Sequence, residues 1–109
     1  MAYGLTDTEM GKLLQVFAAN ERIDEVVLYG SRAKGTYKPF SDVDITLVGD
    51  ALSRQDLNRL SLAIDDLLLP YQFDISLFSH LRNQALTDHI RRRGKRLFKR
   101  EHGKRSVVV

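Results

Sequence analysis

The chain has 109 residues and no cysteine, which excludes both a disulfide framework and a thiolate metal site. No apolar run approaches the roughly 20 residues that span a bilayer, so no transmembrane helix is expected. The opening MAYGLTDTE has neither the basic start nor the apolar centre of a secretory signal, and the expected location is the cytoplasm. Repeats, low-complexity segments and an internal linker are also missing. Histidine is sparse: His80, His89 and His102 lie far apart, without metal-ligand spacing. A chain of this length can bury one modest core. One domain is therefore expected over residues 1–100, followed by a flexible basic tail at 101–109.

What is present is ordinary globular material, 43% hydrophobic and 28% charged, with its charge unevenly placed. Residues 91–105, RRRGKRLFKREHGKR, hold nine Lys/Arg against one Glu, a local balance of +8. The whole chain carries +3, so the remainder sums to −5. Two readings of the basic segment stand side by side. It is a footprint for nucleic acid or an acidic protein surface, or it is a cationic helix end running into a solvated tail.

The hydrophobic pattern predicts alternating helices and strands. Thr6-x-x-Glu9 reads as a capping box, with Leu5 and Met10 as its hydrophobic staple. Met10, Leu13, Leu14 and Phe17 then recur at helical spacing up to about Asn20. Glu25 to Tyr29 reads as a short buried strand, with Tyr29 a packing residue at its end, and Ser31 to about Thr36 as a short helix. From Ser41 to Val48 the chain alternates: Val43, Ile45 and Leu47 share one face, Asp42, Asp44 and Thr46 the other. Ser53-x-x-Asp56 opens a helix with Leu57, Leu60, Ile64, Leu67 and Leu68 on its apolar stripe. Phe73 to Phe78 reads as a third strand with Asp74 and Ser76 on its polar face. A last helix is expected from Leu81 to Arg93, capped by Gly94. The predicted order is α-β-α-β-α-β-α.

Two carboxylates two residues apart on a strand project from one face and repel each other unless a cation lies between them. Hard oxygen ligands of this kind suit Mg²⁺, which takes one or two carboxylates and completes its shell with water and substrate phosphate. Asp74 would add a third carboxylate, and three can hold two metal ions of the sort used in phosphoryl and nucleotidyl transfer. Eleven residues before Asp42, Gly30-Ser31 follows a strand. Glycine there permits close backbone approach, and Ser31 offers a hydroxyl and an amide to an anion. Arg32, Lys34 and Lys38 add positive charge. Tyr37 and Phe40 lie between the two halves, either stacking on a base or anchoring the loop.

The stretch GSRAKGTYKPFSDVDI resembles the signature of the polymerase β-type nucleotidyltransferase superfamily: Gly-Ser, ten residues (Arg32 to Ser41), then Asp-x-Asp. Asp74 in FDISLF takes the place of that pattern's third acid. From about residue 3 to residue 98 the chain is similar to the minimal nucleotidyltransferases of bacteria and archaea. The resemblance implies a two-layer α+β core, a mixed sheet with helices on the face opposite the acids. It implies two Mg²⁺ ions (Mn²⁺ as an alternative) on Asp42, Asp44 and Asp74, and ATP or another nucleoside triphosphate held by Gly30 and Ser31, with Arg32 and Lys34 as phosphate contacts.

The implied reaction is attack of an acceptor hydroxyl on the α-phosphorus, releasing pyrophosphate. The implied partner is a small helical protein of the HEPN type, with this chain as catalytic subunit or antitoxin in a hetero-oligomer; a homodimer is the other arrangement. Alternative readings are a nucleotide- or partner-binding antitoxin with vestigial chemistry, and a transferase for a small hydroxylated molecule such as an aminoglycoside.

Overall fold

The computed structural model describes residues 2–101; His102 and the rest of the expected tail lie outside the described residues. Helix α1 (Asp7–Ala19) starts where its capping box closes. The Glu9 amide donates to Thr6 Oγ1 at 3.1 Å and the Thr6 amide to Glu9 Oε1 at 2.9 Å, satisfying donors that a helix start otherwise leaves open. Helix α2 (Ser31–Lys34) is a single turn after strand β1 (Glu25–Tyr29). Strand β2 (Val43–Val48), helix α3 (Arg54–Asp65) and strand β3 (Phe73–Leu77) follow. A 3₁₀ turn at Phe78–His80 then delays helix α4 (Gln84–Arg93), whose start is capped by Asn83 Oδ1 accepting from the Leu86 amide.

With a fourth strand, β4 (Lys95–Lys99), the sheet has the order β3-β2-β1-β4. β1 pairs antiparallel with β2, while β2 and β3 are parallel. Strand β4 is the addition to the expected order. Residues read as a helix end and solvated tail instead pair antiparallel with β1 and make it an inner strand. The charge density hid this strand. A register shift opposite Val26/Val27 breaks its alternation, so that Leu97 and Phe98, adjacent in sequence, both pack against the core. Phe98 meets Phe17 at 6.3 Å between ring centroids. The Arg100 side chain then donates to the carbonyls of Ile23, Ala18 and Asn20, closing the C-terminal end of α1. The irregular, lysine-rich edge left by β4 is poorly suited to pairing with another sheet.

α1 and α3 cover one face, where Leu13, Phe17, Val26, Leu28, Ile45 and Leu60 are buried. Each such side chain contributes about 1.5–3 kcal/mol relative to exposure. α4 does not join these helices. A Cβ on Gly94 would collide with the Val27 side chain, so α4 ends against the opposite face of β1, and "helices on one face" describes only α1 and α3. Gly94 caps α4 with extended backbone, φ −65° and ψ 151°, because the chain passes directly into β4.

Candidate functional site

The register of three strands assembles the acids. Asp44 on β2 lies opposite Tyr29 in the antiparallel pairing and opposite Asp74 in the parallel one. Tyr29, Asp44 and Asp74 thus form a row on the face turned away from α1 and α3, with neighbouring side chains about 5 Å apart at the Cβ atoms. Asp42 stands two residues before Asp44, just ahead of the first residue of β2. The next row holds Thr46 and Ser76, whose hydroxyls bond at 3.0 Å; Thr46 is fully buried with this partner.

The electrostatics of the row are repulsive. Asp44 is half-buried between exposed Asp42 and Asp74. Burial first, then the charges of Asp74 and Asp42, hold its carboxyl above the usual carboxylate range. Among the described residues, no ion pair with Arg or Lys relieves Asp42, Asp44 or Asp74. Nor do three His, Cys, Asp or Glu side chains converge tightly enough to hold a metal ion unaided. Such a donor set still fits Mg²⁺, which commonly takes one or two protein carboxylates and draws its remaining ligands from water and phosphate. Tyr29 joins this environment, its hydroxyl facing Ser76. Burial, joined by Asp74 and Asp44, raises its phenol above the ordinary value. Alternation along β1 could have placed it there, two residues on from Val27.

Gly30 sits where β1 gives way to α2, at φ 78° and ψ −154°, a conformation essentially reserved for glycine. Its missing side chain is needed as well, since a Cβ would overlap the Asp44 carboxylate. The turn therefore lies directly against the acid row. Ser31 is half-buried at the first position of α2, and Lys34 is exposed at its last. The Lys34 amide donates to Gly30 O at 3.2 Å and the Thr36 amide to Ser31 O at 3.0 Å.

Arg32, expected as a phosphate contact, is placed elsewhere. It is 1% exposed, with four hydrogen bonds to carbonyls: Nε and Nη2 to Ser41 O at 3.1 and 2.8 Å, Nη1 to Tyr3 O at 2.8 Å, and Nη2 to Pro39 O at 3.4 Å. The rings of Tyr37 and Tyr71 lie 5.0 and 4.8 Å from its guanidinium carbon. A guanidinium so engaged ties the N-terminal segment, the 37–41 loop and the start of β3 together, and has no open edge for a ligand. Local sequence could not reveal this, because Tyr3 and Tyr71 come from distant parts of the chain. Tyr37 thus anchors the loop, whereas Phe40 is 76% exposed.

A cleft of about 780 Å³ lies away from Asp42, Asp44 and Asp74. It opens between α1 and α3 and is lined by residues including Lys12, Val16, Leu60 and Ala63.

No curated protein sequence matches the chain significantly. Solved structures do. One chain of a toxin–antitoxin crystallised with AMP-PNP superposes with a TM-score of 0.65 at 22% identity, over 89% of this chain and 76% of that one. A chain of the toxin–antitoxin MntA–HepT gives 0.62 at 18%, covering 87% and 74%. A chain from the Shewanella oneidensis complex of a tri-AMPylated HEPN toxin with an MNT antitoxin gives 0.64 at 16%, covering 88% and 74%. At these identities the likeness establishes the fold. Residues 11–103, most of the chain, match the family described as polymerase beta, nucleotidyltransferase. With that match and a mixed sheet whose β1–α2 turn abuts a row of carboxylates, the chain belongs to the polymerase β nucleotidyltransferase family.

Proposed function

We propose that the protein transfers a nucleoside monophosphate, AMP foremost, from a nucleoside triphosphate to a hydroxyl of a HEPN-type partner protein. The observation that carries this reading is the Gly30 turn seated against Asp44, in a row with Asp74 and beside Asp42. The turn brings backbone and the Ser31 hydroxyl to the triphosphate, and Lys34 adds charge nearby. Asp42, Asp44 and Asp74 would hold divalent cations, two in the full site. When bound, these supply charge neutralisation at the phosphates and lower the pKa of a coordinated hydroxyl.

The remaining work is positioning. The acceptor oxygen attacks the α-phosphorus in line, and the bond from that phosphorus to the bridging oxygen breaks. Pyrophosphate leaves, and the acceptor proton departs by way of the Asp74 carboxylate. The partner assignment draws on the HEPN and AMPylation chemistry of the structural relatives. No helix among the described residues is long and apolar enough to cross a membrane.

The test mixes the purified chain with ATP labelled at the α-phosphate, Mg²⁺ and an extract of its own source, in which a HEPN-type protein is the expected acceptor. Label should pass to the partner with the wild type and fail to pass with Asp42→Asn or Asp74→Asn. Transfer that survives both substitutions, or requires no divalent cation, refutes the reading.

A further inference from the structure

We propose that Phe40 is the nucleobase platform of this site, its ring stacking on the flat face of the bound nucleotide's base. The inference rests on the nucleotidyl-transfer reading above and adds to it a contact outside the glycine turn and the acids.

Phe40 is 76% exposed, a property it shares among large hydrophobic residues only with Leu62 on α3 and Leu68 just beyond α3 among the described residues. A phenyl ring in water contributes nothing to the core. The loop that carries it is nevertheless held in place. The Lys38 amide donates to Ser41 Oγ at 2.7 Å and the Ser41 amide to Lys38 O at 3.0 Å, closing a turn around Phe40. Buried Arg32 grips the same turn through the carbonyls of Pro39 and Ser41. The buried arginine and its stacked tyrosine therefore hold an apolar ring out toward solvent. Such preorganisation lowers the entropic cost of binding.

Position and chemistry select the ligand. Only Ser41 lies between Phe40 and Asp42, so their Cα atoms are within about 7 Å. A triphosphate laid between Gly30-Ser31 and the acids puts its α-phosphorus beside Asp42, and the base follows one ribose further on. The other rings near the acids are engaged. Tyr37 and Tyr71 pack on Arg32, and Tyr29 is half-buried with its hydroxyl at Ser76. Phe40 is the ring with a free face. A stacking contact accepts every base, because every base has a π-face. ATP and GTP should therefore bind within a few-fold of each other, and the smaller pyrimidine rings more weakly.

Calorimetric titration of the full chain with Mg²⁺ and ATP, GTP or inorganic tripolyphosphate tests the assignment. Phe40→Ala should weaken ATP and GTP by about 5- to 100-fold, leave tripolyphosphate unchanged and keep the wild-type melting temperature. Phe40→Trp should restore nucleotide affinity. Unchanged ATP affinity in Phe40→Ala, with the wild type binding ATP well, overturns the platform and leaves nucleotidyl transfer standing. An equal loss for ATP and tripolyphosphate overturns it too. A wild type that binds neither ligand overturns both the platform and the reading beneath it.

Discussion

Replacing Arg32 separates a scaffold role from a phosphate-binding one. In the fold its guanidinium makes four hydrogen bonds of 2.8–3.4 Å to three carbonyls and lies against two tyrosine rings, at 1% exposure. Arg32→Ala leaves those carbonyls without donors, at about 1–3 kcal/mol for each buried group that water cannot reach. It also forfeits both ring contacts, at about 0.5–2 kcal/mol each. Relief from burying a charge offsets part of this, and a net loss of about 3–5 kcal/mol is expected, as when one partner of a buried charged network is removed. A domain of this size has only about 5–15 kcal/mol in total, and each kcal/mol lowers the melting temperature by roughly 4 °C or more. Arg32→Ala should therefore melt at least about 12 °C below wild type. Arg32→Lys keeps the charge but loses the fork, and should fall between them. Differential scanning calorimetry gives the temperatures, and titration with ATP gives the affinities. If Arg32→Ala melts with the wild type and only binds ATP more weakly, the guanidinium serves the phosphates and the scaffold argument is wrong.

The two glycines of the turn should part company. Gly30→Ala meets both forbidden backbone and the Asp44 carboxylate, and should lose about 1–3 kcal/mol together with Mg²⁺-dependent ATP binding. Gly35→Ala, at φ 83° with open space around it, should cost about 1–2 kcal/mol and keep binding; calorimetry and titration read both. Asp44 has its folded carboxyl value raised, so its contribution to stability is present below the ordinary carboxylate value and lost as pH rises through the folded one. Asp44→Asn should accordingly melt no lower than wild type at pH 7 without divalent cations, while losing the stabilisation that Mg²⁺ and ATP confer. Asp56 behaves oppositely. Bonds from Ser53, Asn20 and Arg22 hold its carboxyl below the usual range, so its stability contribution is full at neutral pH and lost as pH falls through the folded value. Asp56→Ala should cost about 2–4 kcal/mol at pH 7 and progressively less in acid, which denaturant titrations at several pH values would show.

Local order decided much of this molecule. The capping boxes Thr6–Glu9 and Ser53–Asp56, the alternation of Val43, Ile45 and Leu47, and the Gly-Ser…Asp-x-Asp spacing each express chemistry between residues a few positions apart. All of these can be read along the chain, because helix period, strand alternation and capping are short-range. Strand pairing is not. That Asp74 faces Asp44 rests on a parallel register between segments 30 residues apart. β4 exists because an unpaired edge of β1 and a place beside Phe17 were open to a segment whose charges mask its two apolar residues. Arg32 shows the point most sharply. Beside Ser31 in sequence it reads as a hand for phosphate. Tyr3, Tyr37, Pro39, Ser41 and Tyr71, gathered from three parts of the chain, use up its donors and enclose its charge, and only the packed fold could bring them together.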